Sequence, residues 1–166
     1  MTMNAPDLEA QETALVDLLM SLTNANFDPA EPLIRSTFNM IDEAMSDIDT
    51  PHGLPTVGLL HRDEMWNDNA ILGGGIAQEG HEAWDLTLLC DSPRLDGGMR
   101  GKRGAYTISK QIMDGLSGQE LIPDSGMYIE PTSRRRYTAR NEQGELVPLA
   151  GYVISIKFAV QNEEAE

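Results

Sequence analysis

The sequence predicts an α+β fold, in which a mostly antiparallel sheet packs against one central helix and further helices lie at the N-terminus. Apolar side chains recur at helical spacing in the first 50 residues. Strand-like alternation runs from Trp84 to Cys90 and from Leu149 to Val160, and a helical segment lies between these strands. The length of 166 residues is that of a single domain. It divides into a helical region at 1–49, an α/β core at 50–161 and a flexible tail at 162–166.

The N-terminal region is predicted to form two amphipathic helices. Pro6–Leu22 has leucines at helical spacing, and Asp7 precedes them in the position of an N-cap. Pro32–Ser46 repeats the helical period, and its proline suits a first turn. Both segments also carry acidic side chains, which would form a solvated face. Helices packed on the core explain this pattern most simply, and a helix that docks a partner is the alternative.

The first half of the core is predicted to contain two strands. Leu54–Leu60 forms a short strand, and His61–Gly80 forms an irregular excursion that could include an edge hairpin. In the strand Trp84–Cys90, the two-residue period places an apolar row on one face. The other face carries Asp85, Thr87 and Leu89. The strand is therefore predicted to be half-buried in an antiparallel sheet.

The second half of the core is predicted to be a helix followed by two strands. The helix covers Tyr106–Leu116 and ends at Gly118, which suits a left-handed C-terminal position. Its buried side is expected to hold Ile108, Ile112, Met113 and Leu116. Strand-like runs then cover Gly126–Arg140 and Leu149–Val160, with a polar turn at Asn141–Glu145 between them. Pro131 predicts an edge position or a bulge in the first of these strands.

Cysteine content and hydropathy favour a protein of the reducing cytosol. Cys90 is the only cysteine, so no disulfide can form within the chain. The sequence contains no run of the ~18 apolar residues that a membrane span needs. A basic segment followed by an apolar run, which marks a signal peptide, is also missing at the N-terminus. No membrane association is therefore expected.

The net charge of −15 argues against nucleic-acid binding by the whole surface. The charge is unevenly distributed, however. Residues 1–50 contain ten acids and one base, whereas residues 94–140 contain nine bases and five acids, a net charge of +4. Such a chain can pair the basic patch of one copy with the acidic patch of another. The alternative is that the charges keep the protein soluble and form weak pairs within the chain.

The sequence predicts neither an enzyme nor a cofactor or metal site. Gly73–Gly75 lacks the lysine and hydroxyl residue of a phosphate-binding loop, and Lys102 is followed by Arg103 rather than by serine or threonine. The histidines are His52, His61 and His81. They do not have the close spacing that is typical of zinc ligands, so structural or solvent-exposed histidines are expected. No nucleophile-elbow motif predicts a hydrolase.

Basic residues in two segments form the candidate interface. Arg94–Gly104 alternates cations with glycines, which let a loop conform to a surface. Ser133–Arg140 is predicted to be an arginine-bearing strand, whose alternation places Arg134 and Arg136 on one face and Arg135 on the other. Arginine binds carboxylates in a bidentate way. Because the chain itself presents acidic faces, an acidic protein face is favoured over a phosphate backbone, and a disordered solvent loop is the alternative. The candidate interface residues are Arg94, Arg100, Lys102, Arg103, Arg134, Arg135 and Arg136.

From about Leu54 to Val160, the order of elements resembles that of the tail-terminator, or tail-completion, proteins of long-tailed bacteriophages and related particles. The shared pattern begins with an early strand and an alternating strand such as Trp84–Cys90. A loop and a helix that ends at Leu116-Ser117-Gly118 follow. An arginine-bearing strand, a glycine-containing turn and a last strand complete it. The pattern covers roughly two thirds of the chain.

This resemblance implies a structural virion protein rather than an enzyme. It implies an α/β subunit of a hexameric ring at the head-proximal end of the tail tube, which ends tail growth and joins tail to head. The implied partners are further copies of the chain, the tail tube protein and a head–tail adaptor or neck protein. DNA would pass through the lumen without sequence-specific binding. The ring would assemble in the host cytoplasm and remain in the tail or neck of the virion.

Two features depart from the pattern of the family and keep alternatives open. The N-terminal region carries two predicted helices and is unusually acidic, and the excursion at His61–Gly80 is long. A head–tail adaptor or head-completion ring of the neck is the first alternative. The second is a non-viral acidic module that docks a partner through its N-terminal helices.

Overall fold

The structure is a computed structural model, which describes residues 7–22, 34–36, 56–66, 77–90, 104–137, 144–145 and 150–163. These residues form two helices and five strands. The elements in chain order are α1 (Leu8–Leu22), β1 (Ile34–Ser36), β2 (Thr56–Trp66), β3 (Ala77–Cys90), α2 (Ala105–Leu116), β4 (Glu130–Arg136) and β5 (Ala150–Glu163). Among the described residues, no helix is long and apolar enough to cross a membrane.

The five strands form one sheet in the order β1-β2-β3-β5-β4. Strand β1 runs parallel to β2, and every other neighbouring pair is antiparallel. Strand β3 occupies the centre and pairs along its full length with β5, from Ala77↔Glu163 to Cys90↔Ala150. The predicted α+β class with a mostly antiparallel sheet is confirmed.

Both helices cover the same face of this sheet. Strand β3 contributes the apolar row that was predicted from its alternation, and Trp84 at 2% exposure is its largest member. The predicted buried side of α2 is confirmed, with Met113 only partly buried. Helix α1 contributes Leu15 and Leu19 and is tied to β3 by a hydrogen bond of 3.2 Å from Trp84 Nε1 to Gln11 Oε1. The central helix and α1 therefore share one core with β3 and β5.

The opposite face of β3 differs from the prediction, because it is buried as well. Asp85, Thr87 and Leu89 are 9%, 6% and 0% exposed. Long side chains from the strands on either side reach over this face: Arg62 of β2 and Arg135 of β4 both approach Asp85. The long side chains that lie over this face remove it from solvent, since pairing within the sheet covers only the edges of a strand. The prediction of a half-buried strand was therefore wrong.

Several predicted end signals are confirmed. The carboxylate of Asp7 caps α1, since Ala10 N donates to Asp7 Oδ1 at 3.1 Å. Gly118 follows α2 with a φ of 73°, the left-handed conformation that ends a helix. Strand β4 lies at the edge of the described sheet, and its register with β5 shifts between Pro131 and Ser133. Both features predicted from Pro131, the edge and the bulge, are present.

The second predicted helix, Pro32–Ser46, is wrong over the residues that the structure describes. Residues 34–36 form strand β1, which pairs in parallel with Val57–Leu59. The rest of the predicted helix lies outside the described residues. Pairing with β1 satisfies backbone groups that an uncovered edge of β2 would leave without partners. This tertiary pairing overrides the helical spacing of the local apolar residues.

The irregular excursion predicted at His61–Gly80 is also corrected. Strand β2 continues to Trp66, and β3 begins at Ala77 rather than at Trp84. The two strands form a long antiparallel hairpin, and its outer strand is unpaired on the far side from His61 to Trp66 among the described residues, since β1 pairs only with Val57–Leu59. Residues 67–76 between the two strands lie outside the described part. The final strand is likewise longer than predicted. The polar residues at the end of β2 have the composition of a loop. They form a strand because they pair with β3.

Gly80 is required where β3 pairs with the end of β2. A Cβ at this position would lie 2.4 Å from the backbone oxygen of Met65 and 2.7 Å from the ring of Trp66. We expect Gly80→Ala to lower the free energy of unfolding by about 1–3 kcal/mol, because the backbone and the ring must move apart. Urea denaturation measures this loss. The control is Glu79→Ala on the same strand, whose exposed side chain should matter little; equal stability of both variants would contradict the packing argument.

Candidate functional site

A bulge in the β2–β3 hairpin brings three ionisable side chains together. The pairing passes from His61↔Trp84 directly to Asp63↔Ala83, so Arg62 is the extra residue. Residues three apart on a regular strand point to opposite faces. The bulge reverses this rule and puts His61 and Glu64 on the same face. On that face Glu64 is paired with Glu82 of β3.

The three side chains form a compact cluster, which we call the hairpin cluster: His61, Glu64 and Glu82. Nε2 of His61 lies 2.5 Å from Oε2 of Glu82. One possible ligand atom from each residue can be chosen so that all three lie within 4.8 Å of one another. Glu82 is 0% exposed, whereas the other two residues are partly exposed. The cluster therefore opens towards solvent on the β2 side and is closed on the β3 side.

Both tryptophans of the chain border the hairpin cluster. Trp66 Nε1 donates a hydrogen bond of 2.6 Å to Glu64 Oε1. The ring of Trp84 meets the His61 ring edge-on, with centroids 5.2 Å apart and an interplanar angle of 74°. One carboxylate oxygen and the imidazole plane are therefore oriented by neighbouring aromatic groups.

Burial controls the protonation of the two carboxyl groups. Desolvation, followed by hydrogen bonding to Glu64 and the negative charges of Glu64 and Asp63, raises the pKa of Glu82 from 4.5 to about 8. The pKa of Glu64 is lowered, first by its hydrogen bond with Glu82. A hydrogen bond between two carboxyl groups requires one proton, and burial favours this proton on Glu82. Oε1 of Glu82 is buried without a hydrogen-bond partner among the described residues.

The sequence did not predict this cluster. Histidine spacing predicted structural or exposed side chains, and exposed His81 fits that expectation, while His52 lies outside the described residues. His61 instead meets two carboxyl groups. The only available signal was the three-residue spacing of His61 and Glu64, and it becomes a shared face only through the bulge at Arg62.

The candidate interface is only partly described. Arg94, Arg100, Lys102 and Arg103 lie outside the described residues. Arg134, Arg135 and Arg136 are exposed residues of the edge strand β4. Their alternation is confirmed, because the first two reach opposite faces of the sheet. The structure therefore brings three of the seven predicted interface residues onto one edge.

Two of these arginines also have partners within the chain. Nη1 of Arg134 donates to Ser109 Oγ of α2 at 3.2 Å, and its guanidinium carbon lies 5.6 Å from the ring centroid of Tyr152. On the other face, Nη2 of Arg135 lies 4.0 Å from Asp85 Oδ2. These contacts hold the guanidinium ends of the two side chains against the protein, although both residues stay exposed. Arg136 continues the basic row at the end of β4.

Asp85 is the centre of a second polar cluster, on the face of the sheet away from the helices. Ser155 Oγ donates a hydrogen bond of 2.7 Å to Asp85 Oδ1. Arg62 Nη1 lies 3.6 Å from the same oxygen, and Arg135 approaches the other oxygen. Two guanidinium groups and a hydroxyl thus satisfy a carboxylate that the sheet has nearly buried. This cluster is a structural network and joins four strands.

An acidic cleft lies between α1 and residues 120–123. Its volume is about 740 Å³. Its acidic lining residues are Asp7, Glu9, Asp17 and Glu120. Most of the remaining lining is apolar and includes Leu18 and Ile122. The chain therefore has a concave acidic surface on its helical side and a basic row on the edge strand β4.

No protein-family model matches the chain, and no curated protein matches its sequence. The function of the chain is therefore inferred from the geometry of three features and from the order of elements along the chain. The three features are the hairpin cluster, the basic edge strand and the acidic cleft.

The raised pKa of Glu82 predicts how the stability of the protein depends on pH when divalent ions are removed. The folded chain holds this proton more tightly than the unfolded chain, whose pKa is near 4.5. The resulting stabilisation is complete below about pH 4.5 and is lost as the pH rises through the folded pKa of about 8. Between pH 5 and 8, wild type should therefore lose on the order of 3 kcal/mol relative to Glu82→Gln. Glu64 contributes little over this range, because its lowered pKa leaves it ionised in both the folded and the unfolded chain.

Urea denaturation in the presence of EDTA at several pH values measures this difference. Glutamine at position 82 keeps the shape of the side chain and cannot ionise. Glu79→Gln on the same strand provides the control, because its side chain is exposed. If the unfolding free energies of wild type and Glu82→Gln change with pH in parallel, Glu82 does not carry the proton.

Proposed function

We propose that this chain is a structural protein of a tailed bacteriophage or related particle, the tail terminator, which forms a ring at the head-proximal end of the tail tube. The ring ends tail growth and joins the tail to the head. The observation that carries the proposal is the exposed basic edge strand β4 on a chain with a net charge of −15. The order of elements from Leu54 to Val160 supports it, since this order resembles that of the family.

The edge strand β4 suits a contact with another copy. An edge strand presents backbone N–H and C=O groups that can pair with another chain, and charged side chains prevent uncontrolled addition. In β4, these charges are three consecutive arginines. They favour an acidic partner and disfavour a basic one, so the edge is selective.

The acidic cleft provides a complementary surface on the same chain. It is built from α1 and residues 120–123, which share no residue with β4. A contact between the basic edge of one copy and the acidic cleft of the next is therefore heterologous, and a heterologous contact closes into a ring when its rotation permits. Residues Arg94–Arg103 would add further cations that reach the neighbouring subunit or the tube below.

The proposed ring has further partners and a defined location. The tail tube protein lies on one side, and a head–tail adaptor or neck protein lies on the other. Because the chain is strongly acidic, a lumen formed by it repels DNA phosphates and lets DNA pass without sequence-specific binding. The ring assembles in the host cytoplasm and stays in the tail or neck of the virion. The function needs no enzyme activity and no cofactor.

The acidic cleft also favours one alternative, a non-viral module that docks a basic partner. The cleft runs beside α1, the first of the helices for which docking was considered. A head–tail adaptor ring is the other alternative and would use the same contacts between copies. These three candidates differ in where the chain is found.

Charge reversal on the edge strand tests the contact between copies. We expect Arg136→Glu to shift the assembled ring towards monomer, because a like charge would then face the acidic cleft of the next copy. Arg136 is preferred to Arg135, which also neutralises the buried Asp85. Native mass spectrometry and size-exclusion chromatography with light scattering measure the distribution of oligomers.

The matched control is Lys110→Glu. It makes the same change in charge on an exposed face of α2, where Lys110 pairs with Asp114. A reciprocal variant, Glu9→Arg/Asp17→Arg in the cleft, should restore assembly when mixed with Arg136→Glu. A wild-type chain that remains monomeric, or an Arg136→Glu variant that assembles normally, would exclude β4 as the contact.

Cryo-electron microscopy of particles from the source tests the location. Density of this chain as a ring on top of the tail tube is the expected result. Density one layer higher, against the portal, would make the protein an adaptor. Absence of the chain from every particle would refute both virion functions and leave the docking module.

A further inference from the structure

The hairpin cluster has the donor set of a site for a divalent cation. It combines one imidazole nitrogen with two carboxylates, on two adjacent strands of one sheet. Imidazole and carboxylate are both common ligands of zinc and of other first-row transition metals. The scaffold is rigid for a protein site, because β2 and β3 are paired on either side of the bulge at Arg62.

A buried atom without a partner gives independent support. Glu82 is 0% exposed, and its Oε1 has no hydrogen-bond partner among the described residues. A buried carboxyl oxygen without a partner destabilises the folded state, so an ordered water, an ion or another unseen group is expected to contact it. A bound cation can contact the carboxylate oxygens of Glu82. Its positive charge also offsets the repulsion between Glu64 and Glu82 when both are ionised.

The distances allow a shared ion after small side-chain rotations. Zinc binds nitrogen and carboxylate oxygen at about 2.1 Å, so its ligand atoms lie roughly 3–3.4 Å apart. In the hairpin cluster, the candidate atoms lie within 4.8 Å of one another, and the His61–Glu82 pair is closer at 2.5 Å. An ion would separate this pair and draw Glu64 inward.

A neighbouring side chain already orients one of the ligands. Trp66 Nε1 donates to one oxygen of Glu64 and leaves the other oxygen for an ion. Such outer hydrogen bonds fix metal ligands and tune their affinity. Three protein donors leave one or more coordination positions for water, on the partly exposed side of the cluster.

The donor types define the class of ion. Mg²⁺ and Ca²⁺ prefer oxygen ligands alone, whereas an imidazole favours transition metals. The only thiol is remote: Cys90 is eight positions from Glu82 along the same strand, or about 26 Å at the usual rise per residue. The site therefore contains only nitrogen and oxygen donors among the described residues.

We propose that His61, Glu64 and Glu82 bind one divalent transition-metal cation, for which Zn²⁺ is the probe. The ion links β2 to β3 at the end of the hairpin next to residues 67–76. Its role is structural and does not depend on the proposed ring.

Isothermal titration of the EDTA-treated full chain with Zn²⁺ tests the proposal. The expected result is one ion per chain, with binding weakened at least about tenfold in His61→Gln/Glu82→Gln, since even outer-shell changes have effects of that size. The matched control is Glu79→Gln/His81→Gln. It makes the same two substitutions at exposed positions of β3 and should bind as wild type does.

Several outcomes would overturn the proposal. Absence of Zn²⁺ binding is one, and equal weakening in the two double variants is another, because it would show diffuse attraction to an acidic surface. Mg²⁺ that saturates the site as well as Zn²⁺ would refute the donor-set argument. Circular dichroism checks that each variant is folded. If His61→Gln/Glu82→Gln is unfolded, Glu64→Gln replaces it, because Glu64 is partly exposed, and unchanged binding in that variant would also refute the site.

Discussion

From Glu82 to Leu89, strand β3 has buried polar residues on both faces, and this constraint determines what those residues must do. Glu82 and Asp85 are three positions apart on the strand, so they point to opposite faces, and each carboxyl group needs its own partners. One bulge in β2 serves both. It directs Arg62 to Asp85 on one face and leaves His61 to meet Glu82 on the other. The hairpin cluster and the structural network around Asp85 therefore depend on the same irregularity.

The sequence predicted those features that depend on local periodicity or on a special residue. The apolar row of β3, the buried side of α2, the stop at Gly118 and the bulge at Pro131 are of this kind. The predictions from the sequence were wrong where pairing with a strand far along the chain determines the local structure. Residues 34–36 pair with β2 in spite of a helical pattern, and the polar end of β2 resembled a loop because its partners lie on β3.

The candidate site shows the same division. The two-residue alternation of the strand correctly placed Arg134 and Arg135 on opposite faces of the sheet. Pro131 correctly predicted the edge position of β4. The hairpin cluster could not be predicted, because a single extra residue changes which side chains share a face. The residue types around Arg62 do not indicate a bulge, and only the register of β2 with β3 shows the extra residue.

The position of the two tryptophans has a spectroscopic consequence. The chain contains only Trp66 and Trp84, and both touch the hairpin cluster, one through Glu64 and the other through the ring of His61. Trp84 is buried, whereas Trp66 is partly exposed. The tryptophan fluorescence of the protein therefore arises entirely beside this cluster. Tryptophan emission can therefore report the ionisation of the hairpin cluster and the binding of an ion there without an added label.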